Sequence, residues 1–232
     1  MATPISSVRK KRGPSRIAVE RRRELIEAAI RDIARNGYAT VTVASICAEA
    51  GFSRGLIGHY FANKEELLLE AVNTVAVDLG NAIRDAANAA KPDPAQMLHA
   101  LIRASFTPPG LTDEKIAVWV SLASSARWSD NLAEIYREIW VDYRSGVGRL
   151  FVRAAGSRGI SINASHVSLA FSQLVEGLWI GLAANRTSFS ASDAEHCCHH
   201  YVDLVLKAKR SAHTPPAPAP TKTFSKRRAM AE

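Results

Sequence analysis

Apolar positions recur every three and four residues along most of the chain, and no convincing run of period two appears. Leu25, Ile26, Ala29, Ile30, Ile33 and Ala34 form a first stripe that Asn36-Gly37 stops, which predicts a helix over roughly residues 16–36. Thr42 caps a short apolar segment through Ile46 and Ala50 that ends at Gly51, and Ser53 caps another from Arg54 to Tyr60. Phe52 and Ile57 bracket that second cap at the spacing of a hydrophobic staple. Asn63 with Glu66 starts a longer helix to about Ala90, Asp93-Pro94 another, and Pro108-Pro109-Gly110 interrupts. Thr112 starts a helix to about Arg127, Ser129 or Asn131 one to about Ala155, Asn163 the most apolar one, and Ser192 with Glu195 boxes the last. The pattern is all-α, with about nine helices, and the stretch from Thr214 onward, rich in proline, is an extended tail.

The length, 232 residues, suits one large or two modest domains, and the 47% hydrophobic content excludes a mostly disordered or multi-span membrane chain. Charge changes the picture more. Of the net +8, residues 1–24 carry eight basic against two acidic side chains and residues 207–232 seven against one, so each end holds +6 and the body −4. Basic ends around a mildly acidic body predict disordered arms that seek polyanions. Three cysteines, two of them the adjacent Cys197 and Cys198, cannot form a normal disulfide framework and point to a reducing, cytoplasmic setting. The apolar stretch from Ala164 to Asn185 contains Glu176, a histidine, a glutamine and three serines, which favours a buried soluble helix over a membrane span.

Two short helices joined by Ala50-Gly51-Phe52-Ser53 have the proportions of a helix-turn-helix, the second being the recognition helix. With Ile57 and Phe61 inward, Ser53, Arg54, Gly55, Leu56, Gly58, His59 and Tyr60 fall on or near the outer face. Gly55 and Gly58 each cost about 1 kcal/mol against alanine within a helix, but let the backbone approach a phosphate or base edge. Arg54 suits a guanine edge or a phosphate, Leu56 a thymine methyl, His59 and Tyr60 phosphate oxygens, and Lys64 adds a cation at the next helix start. The segment Leu25 to Glu65 is itself neutral, so charge predicts attraction to DNA without locating its reader.

The run Thr42-Val43-Ala44-Ser45-Ile46-Cys47-Ala48-Glu49-Ala50-Gly51-Phe52-Ser53-Arg54-Gly55-Leu56-Ile57-Gly58-His59-Tyr60-Phe61, followed by Lys64-Glu65-Glu66-Leu67-Leu68, resembles the N-terminal signature of the TetR family of bacterial transcriptional repressors over about residues 17–72. The resemblance implies phosphate contacts at Thr42, Tyr60 and Lys64 and major-groove reading by Arg54 to Tyr60. Gly58 departs from it, since an aromatic or polar side chain is common there. Ala117 to Ala123 with Trp119, Tyr136-Arg137-Glu138, and Leu174-Val175-Glu176-Gly177-Leu178-Trp179 are similar to the BetI branch, which represses choline-to-glycine-betaine genes and responds to choline. That branch has a small residue where Gly58 stands.

All four tryptophans lie between residues 119 and 179, and Tyr136, Trp140 and Tyr143 share one helical face. Glu176 is the only formally charged residue from Asn163 to Asn185, with Trp179 one turn later. A carboxylate beside the aromatic faces of Trp119, Trp140, Tyr143 and Trp179 suits choline or another quaternary ammonium effector, which offers no hydrogen-bond donor at its charge. Two other readings stand: the stripe is core or dimer interface, and Glu176 pairs with Arg127, Arg149 or Arg153. His196 and His200 share a face with metal-ligand spacing, but Cys198, Tyr201, Val202 and Val205 read as a packing stripe with the histidines on its solvated side, so no metal or other cofactor is expected. No phosphate loop, nucleophile elbow or acid/base carboxylate pair appears, and no enzymatic activity is expected.

The organisation expected is a basic arm (1–15), a three-helix helix-turn-helix domain (16–62), a helical ligand-binding and dimerisation domain (63–210) and a basic tail (211–232). A palindromic operator requires two recognition helices about 34–36 Å apart, hence a homodimer. The helices at about 163–185 and 192–209 are apolar enough to pair as an intersubunit four-helix bundle, with Gly177, Gly181, Ala183 and Ala184 allowing close approach. The partners expected are double-stranded DNA, a small effector and a second copy, with no membrane and a place on the bacterial nucleoid. The rival is an architectural protein held to DNA by its arms without sequence reading.

Overall fold

Side-chain caps set most of the predicted helix starts in the computed structural model, which describes residues 16–90, 92–185 and 187–207. Most of both basic ends lies outside these residues. The described residues form α1 (Arg16–Asn36), a 3-10 turn (Tyr38–Thr40), α2 (Val43–Ala50), α3 (Arg54–Tyr60), α4 (Lys64–Ala89), α5 (Pro94–Phe106), α6 (Asp113–Ser125), α7 (Asp130–Gly156), α8 (Ala164–Ala184) and α9 (Ala191–Lys207), with no strand. Thr42 and Ser45 bond reciprocally, the Ser45 N–H to Thr42 Oγ1 at 3.0 Å and the Thr42 N–H to Ser45 Oγ at 2.9 Å. Asn63, Asp93, Thr112, Ser129 and Asn163 each accept a first-turn N–H as the sequence predicts.

Three local predictions change. Ser53 occupies the N-cap position of α3 without a side-chain capping bond. Glu66 accepts from the Ala62 N–H at 2.6 Å instead of closing a box on Asn63. The last helix starts from Ser190 and Asp193, the Ser190 N–H reaching Asp193 Oδ2 at 2.8 Å and the Asp193 N–H reaching Ser190 Oγ at 3.1 Å. Ser190-Asp193 and Ser192-Glu195 have the same spacing, so sequence could not choose between them.

Helix α1 buries Leu25, Ala28, Ala29 and Ile33 against α2, α4 and α6, each of the larger side chains contributing about 1.5–3 kcal/mol. At 1.5 Å per residue, the 26 residues of α4 span about 39 Å, packing against α1 and, in the body, α5, α6 and α7. The core is continuous from Leu25 to Leu206, so the N-terminal helices and the body share it. Helix α8, long and apolar enough by length and hydropathy to cross a membrane, buries Ser168, Phe171, Ser172, Val175, Glu176 and Trp179 on one face. Its other face leaves Leu169, Gly177, Ile180 and Ala184 exposed, so it is buried on one side only within the chain.

Candidate DNA-reading surface and effector site

Gly51, at φ +70°, turns the chain from α2 into the approach to α3 and donates its N–H to Cys47, a left-handed conformation that glycine adopts without strain. Ile57 and Phe61 are buried, which leaves Ser53, Arg54, Gly55, Gly58 and His59 exposed and Leu56 and Tyr60 half-buried. Arg54 has no ion pair among the described residues. A Cβ added at Gly55 or Gly58 would meet nothing within 4 Å, so neither glycine answers a packing need inside the chain. Lys64 Nζ donates to the Val41 carbonyl at 2.9 Å, which sets its ammonium beside exposed Thr42 with two N–H donors left over.

The scaffold behind this face is tied down. Arg31 and Arg35 both bond Glu49 at 2.8 Å, joining α1 to α2 and holding the Glu49 carboxyl below its usual range. Arg22 pairs with Glu70 on α4 while its guanidinium lies 4.7 Å from the Phe61 ring centre. Tyr38 donates to Glu65 at 2.9 Å. The basic residues of this neutral segment are thus spent on position, except Arg54 and part of Lys64.

In the body, Trp119 on α6, Tyr136, Trp140 and Tyr143 on α7, and Trp179 on α8 form one aromatic box. Trp119 lies 5.5 Å from Trp140, 5.6 Å from Trp179 and 5.7 Å from Tyr136 between ring centres, and Trp140 lies 5.5 Å from Tyr143. Glu176, 6% exposed, accepts from the Tyr136 hydroxyl and from Gln173 Nε2 at 3.1 Å. Burial and then the Glu176 carboxylate push the Tyr136 phenol up to about 12, so it stays a donor. No cationic side chain among the described residues pairs with Glu176. Arg149 instead donates to Ser145 at 2.6 Å and Arg127 stacks at 5.4 Å over Trp128. The arginine pairing weighed from the sequence is therefore absent among them. Trp179 Nε1 donates to the Ser105 carbonyl at 2.9 Å, whereas Trp119 Nε1, Trp140 Nε1 and Tyr143 Oη are buried without a well-formed hydrogen bond, Trp140 lying beside Tyr136 and Tyr143 beside Ser105.

The fourth tryptophan, Trp128, is 82% exposed and takes no part. Tyr136 and Gln173 were not among the predicted site residues; the spacing of Tyr136, Trp140 and Tyr143 could have found the first, and the one-turn spacing of Gln173 and Glu176 on α8 the second. The histidines of α9 divide: His196 and His200 are exposed, but His199 turns inward, contrary to its predicted solvated side. Its Nδ1 lies 2.6 Å from Nδ1 of His99 on α5, and its Nε2 lies 3.1 Å from Glu195. Among the described residues no three His, Cys, Asp or Glu side chains group as metal ligands. An open cleft of about 800 Å³ lies between α1, α4 and α6, with Tyr60 on its wall.

Residues 25–71 match the tetR family of bacterial regulatory proteins, and residues 94–207 match the C-terminal domain of BetI-type transcriptional repressors. The transcriptional regulator BetI of Brucella canis is 30% identical over 192 residues, covering 83% of this chain and 94% of the relative. That of Paraburkholderia xenovorans is 28% identical over 193 residues, covering 82% and 95%. Among solved structures, a transcriptional regulator from Pseudomonas aeruginosa superposes with TM-score 0.73 at 26% identity, covering 81% of this chain and 91% of that one. A regulator from Saccharomonospora viridis in complex with choline superposes at 0.70 with 22% identity, covering 80% and 96%, a likeness of fold. The chain belongs to the TetR family of DNA-binding transcriptional regulators, with a C-terminal domain of the BetI repressor type.

Proposed function

We propose that the protein is a homodimeric repressor that reads a palindromic operator through α3 and is released or modulated by a quaternary ammonium effector such as choline, in the setting of glycine betaine metabolism. The observation that carries this reading is Glu176, a buried carboxylate held by Tyr136 and Gln173 in an aromatic box, with no ion pair among the described residues. A buried charge left unpaired is costly, and an onium ion supplies what is missing, with each π face adding roughly 0.5–2 kcal/mol. The choline bound by the Saccharomonospora viridis relative supports the same ligand class here.

Trp119, Trp140, Tyr143, Glu176 and Trp179 hold the effector in this reading, joined by Tyr136. The rings touch one another at 5.5–6.5 Å, so an entering cation parts them. Trp119 rides on α6, which also packs against α1 and the 3-10 turn, so displacement of α6 reaches the reading unit. Differential affinity for the parted arrangement is what shifts the population. On DNA, Thr42, Ser53, His59, Tyr60 and Lys64 take phosphates, Arg54 takes a guanine edge or a phosphate, Leu56 a thymine methyl, and Gly55 and Gly58 admit the backbone to the groove. The exposed apolar face of α8 pairs with its copy, together with Leu204 on α9. Gly177 is open on that face, whereas a Cβ at Gly181 would meet the chain's own Phe189 at 2.7 Å, so only the former serves close approach between subunits. The setting is the bacterial cytoplasm, at the nucleoid.

The test is fluorescence anisotropy on the palindrome nearest the protein's own gene, with and without choline, for wild type and Glu176→Gln. Saturable binding that choline alters in wild type and not in the variant supports the proposal. Equal affinity for the palindrome and random DNA, or an equal choline response in both proteins, overturns it.

A further inference from the structure

The charges of the body are unevenly placed. From Tyr143 to Val175 the chain carries Arg144, Arg149, Arg153 and Arg158 and no aspartate or glutamate, inside a body whose net charge is negative. The first half of α7 pairs its signs, Arg137 with Glu134, as α1 does with Arg21 on Glu24 and Arg23 on Glu20 and Glu27. The second half does not. Arg144, Arg149 and Arg153 line an open cleft of about 860 Å³ between α7 and the first turns of α8, together with Val152 and Leu169. At its floor the two helices approach closely, since Gly148 and Ser168 are buried and a Cβ added at Gly148 would stand 3.6 Å from Ser168 Oγ. Arg149 donates to Ser145 at 2.6 Å, and none of the three arginines has a carboxylate partner among the described residues. Arg149 and Arg153 stand one turn apart, a spacing at which like charges destabilise a helix. The larger packing contacts of α7 and α8 are with α4, α5, α6, α9 and each other, so the cleft belongs to the body and not to the reading unit. It shares no lining residue with the aromatic box.

We propose that this cleft is a second ligand site, for a small organic phosphate whose oxygens are taken by Arg144, Arg149 and Arg153 and whose apolar part lies against Val152 and Leu169. A guanidinium fork matches a phosphate bidentately. Three cations without an acid leave an excess that one carboxylate does not balance, whereas a phosphate monoester carries close to two negative charges at neutral pH. The lining is mostly apolar, because the arginine stems lie along it, so inorganic phosphate alone leaves that surface uncovered.

Titration calorimetry on the full-length protein with n-hexyl phosphate, inorganic phosphate and n-hexanol tests this, in wild type and in a variant carrying Arg149→Ala and Arg153→Ala. The expected result is hexyl phosphate at least about tenfold tighter than either of the other two, and at least about tenfold weaker in the double variant. Hexyl phosphate that binds both proteins equally is an adventitious additive only, and overturns the site. Hexanol as tight as hexyl phosphate overturns the role of the charge, and inorganic phosphate as tight overturns that of the apolar surface. Affinity for duplex DNA, read by anisotropy, and the oligomeric state, read by sedimentation velocity, should be the same in both proteins. A loss of DNA affinity gives the arginines to the DNA backbone, and a change of oligomeric state gives them to a second copy; either overturns the small-molecule site. Both side chains are exposed, so the variant should fold. If it does not, Arg153→Lys, which keeps the charge and loses the fork, makes the same comparison with a smaller expected loss.

Discussion

Arg54 on α3 and Glu176 on α8 each lack an opposite charge among the described residues, but one stands in water and the other is 6% exposed. Water compensates the guanidinium at almost no cost, whereas a carboxylate taken out of water without a counter-ion costs several kcal/mol. The surrounding groups follow the same division. Around α3 most polar side chains behind the surface are paired, as in Arg31 and Arg35 with Glu49 and Arg22 with Glu70, although buried Asp32 on α1 keeps one carboxylate oxygen without a partner. In the box, Trp119, Trp140 and Tyr143 bury donors without a well-formed hydrogen bond.

The comparison breaks most readily at the box itself. Trp140→Ala removes a ring that touches Trp119, Tyr136, Tyr143 and Trp179, and should cost about 3–5 kcal/mol in urea unfolding. A loss under about 1 kcal/mol would mean that the rings are not a packed unit. Arg54→Ala should weaken operator binding by about 1–3 kcal/mol with an unchanged melting temperature, since the side chain supports nothing in the fold. A variant that melts earlier would show that Arg54 belongs to the scaffold.

Gly55→Ala and Gly58→Ala sharpen the contrast further. Each should raise stability by up to about 1 kcal/mol, because the added methyl meets nothing within the chain, while weakening operator binding. Stabilised variants that bind the operator as well as wild type would show that close backbone approach is not what the glycines serve. The smallest effect concerns the half-buried histidine pair. Burial, then the neighbouring His199, hold His99 below the usual histidine pKa, with Arg103 acting the same way and Asp203 and Asp93 opposing. The unfolded chain then takes up a proton at this site before the folded one does. Its contribution is full above about pH 6.5 and is lost as pH falls through and below that value. Melting temperature should therefore drop between about pH 7.5 and 5.5, and His99→Gln should flatten that slope; an identical slope would remove the pair as its source.

Helix periodicity, caps and the turn at Gly51 made the all-α architecture and the reading surface legible, because each depends on residues within a few positions of one another. Where local signals were degenerate, as for Ser190-Asp193 against Ser192-Glu195, the sequence chose the wrong cap. Burial of one face of α8 was legible from its composition, but not which of its small residues serve the chain itself. Phe189, eight residues beyond Gly181, settles that for one of them.

The sequence by itself determined the helix order, the outward set on α3 and the placing of Glu176 and three tryptophans on helices of the body, since periodicity assigns a residue to a face. Only the tertiary structure decided what those faces meet. It brought Trp119, Trp140 and Trp179 together, excluded Trp128, set Tyr136 on Glu176, left that carboxylate without an ion pair among the described residues and turned His199 toward His99. The contacts of Tyr136 with Glu176 and of His99 with His199 join residues 40 and 100 positions apart, and the pairing of one helix face with another depends on how the helices pack, which no local spacing encodes.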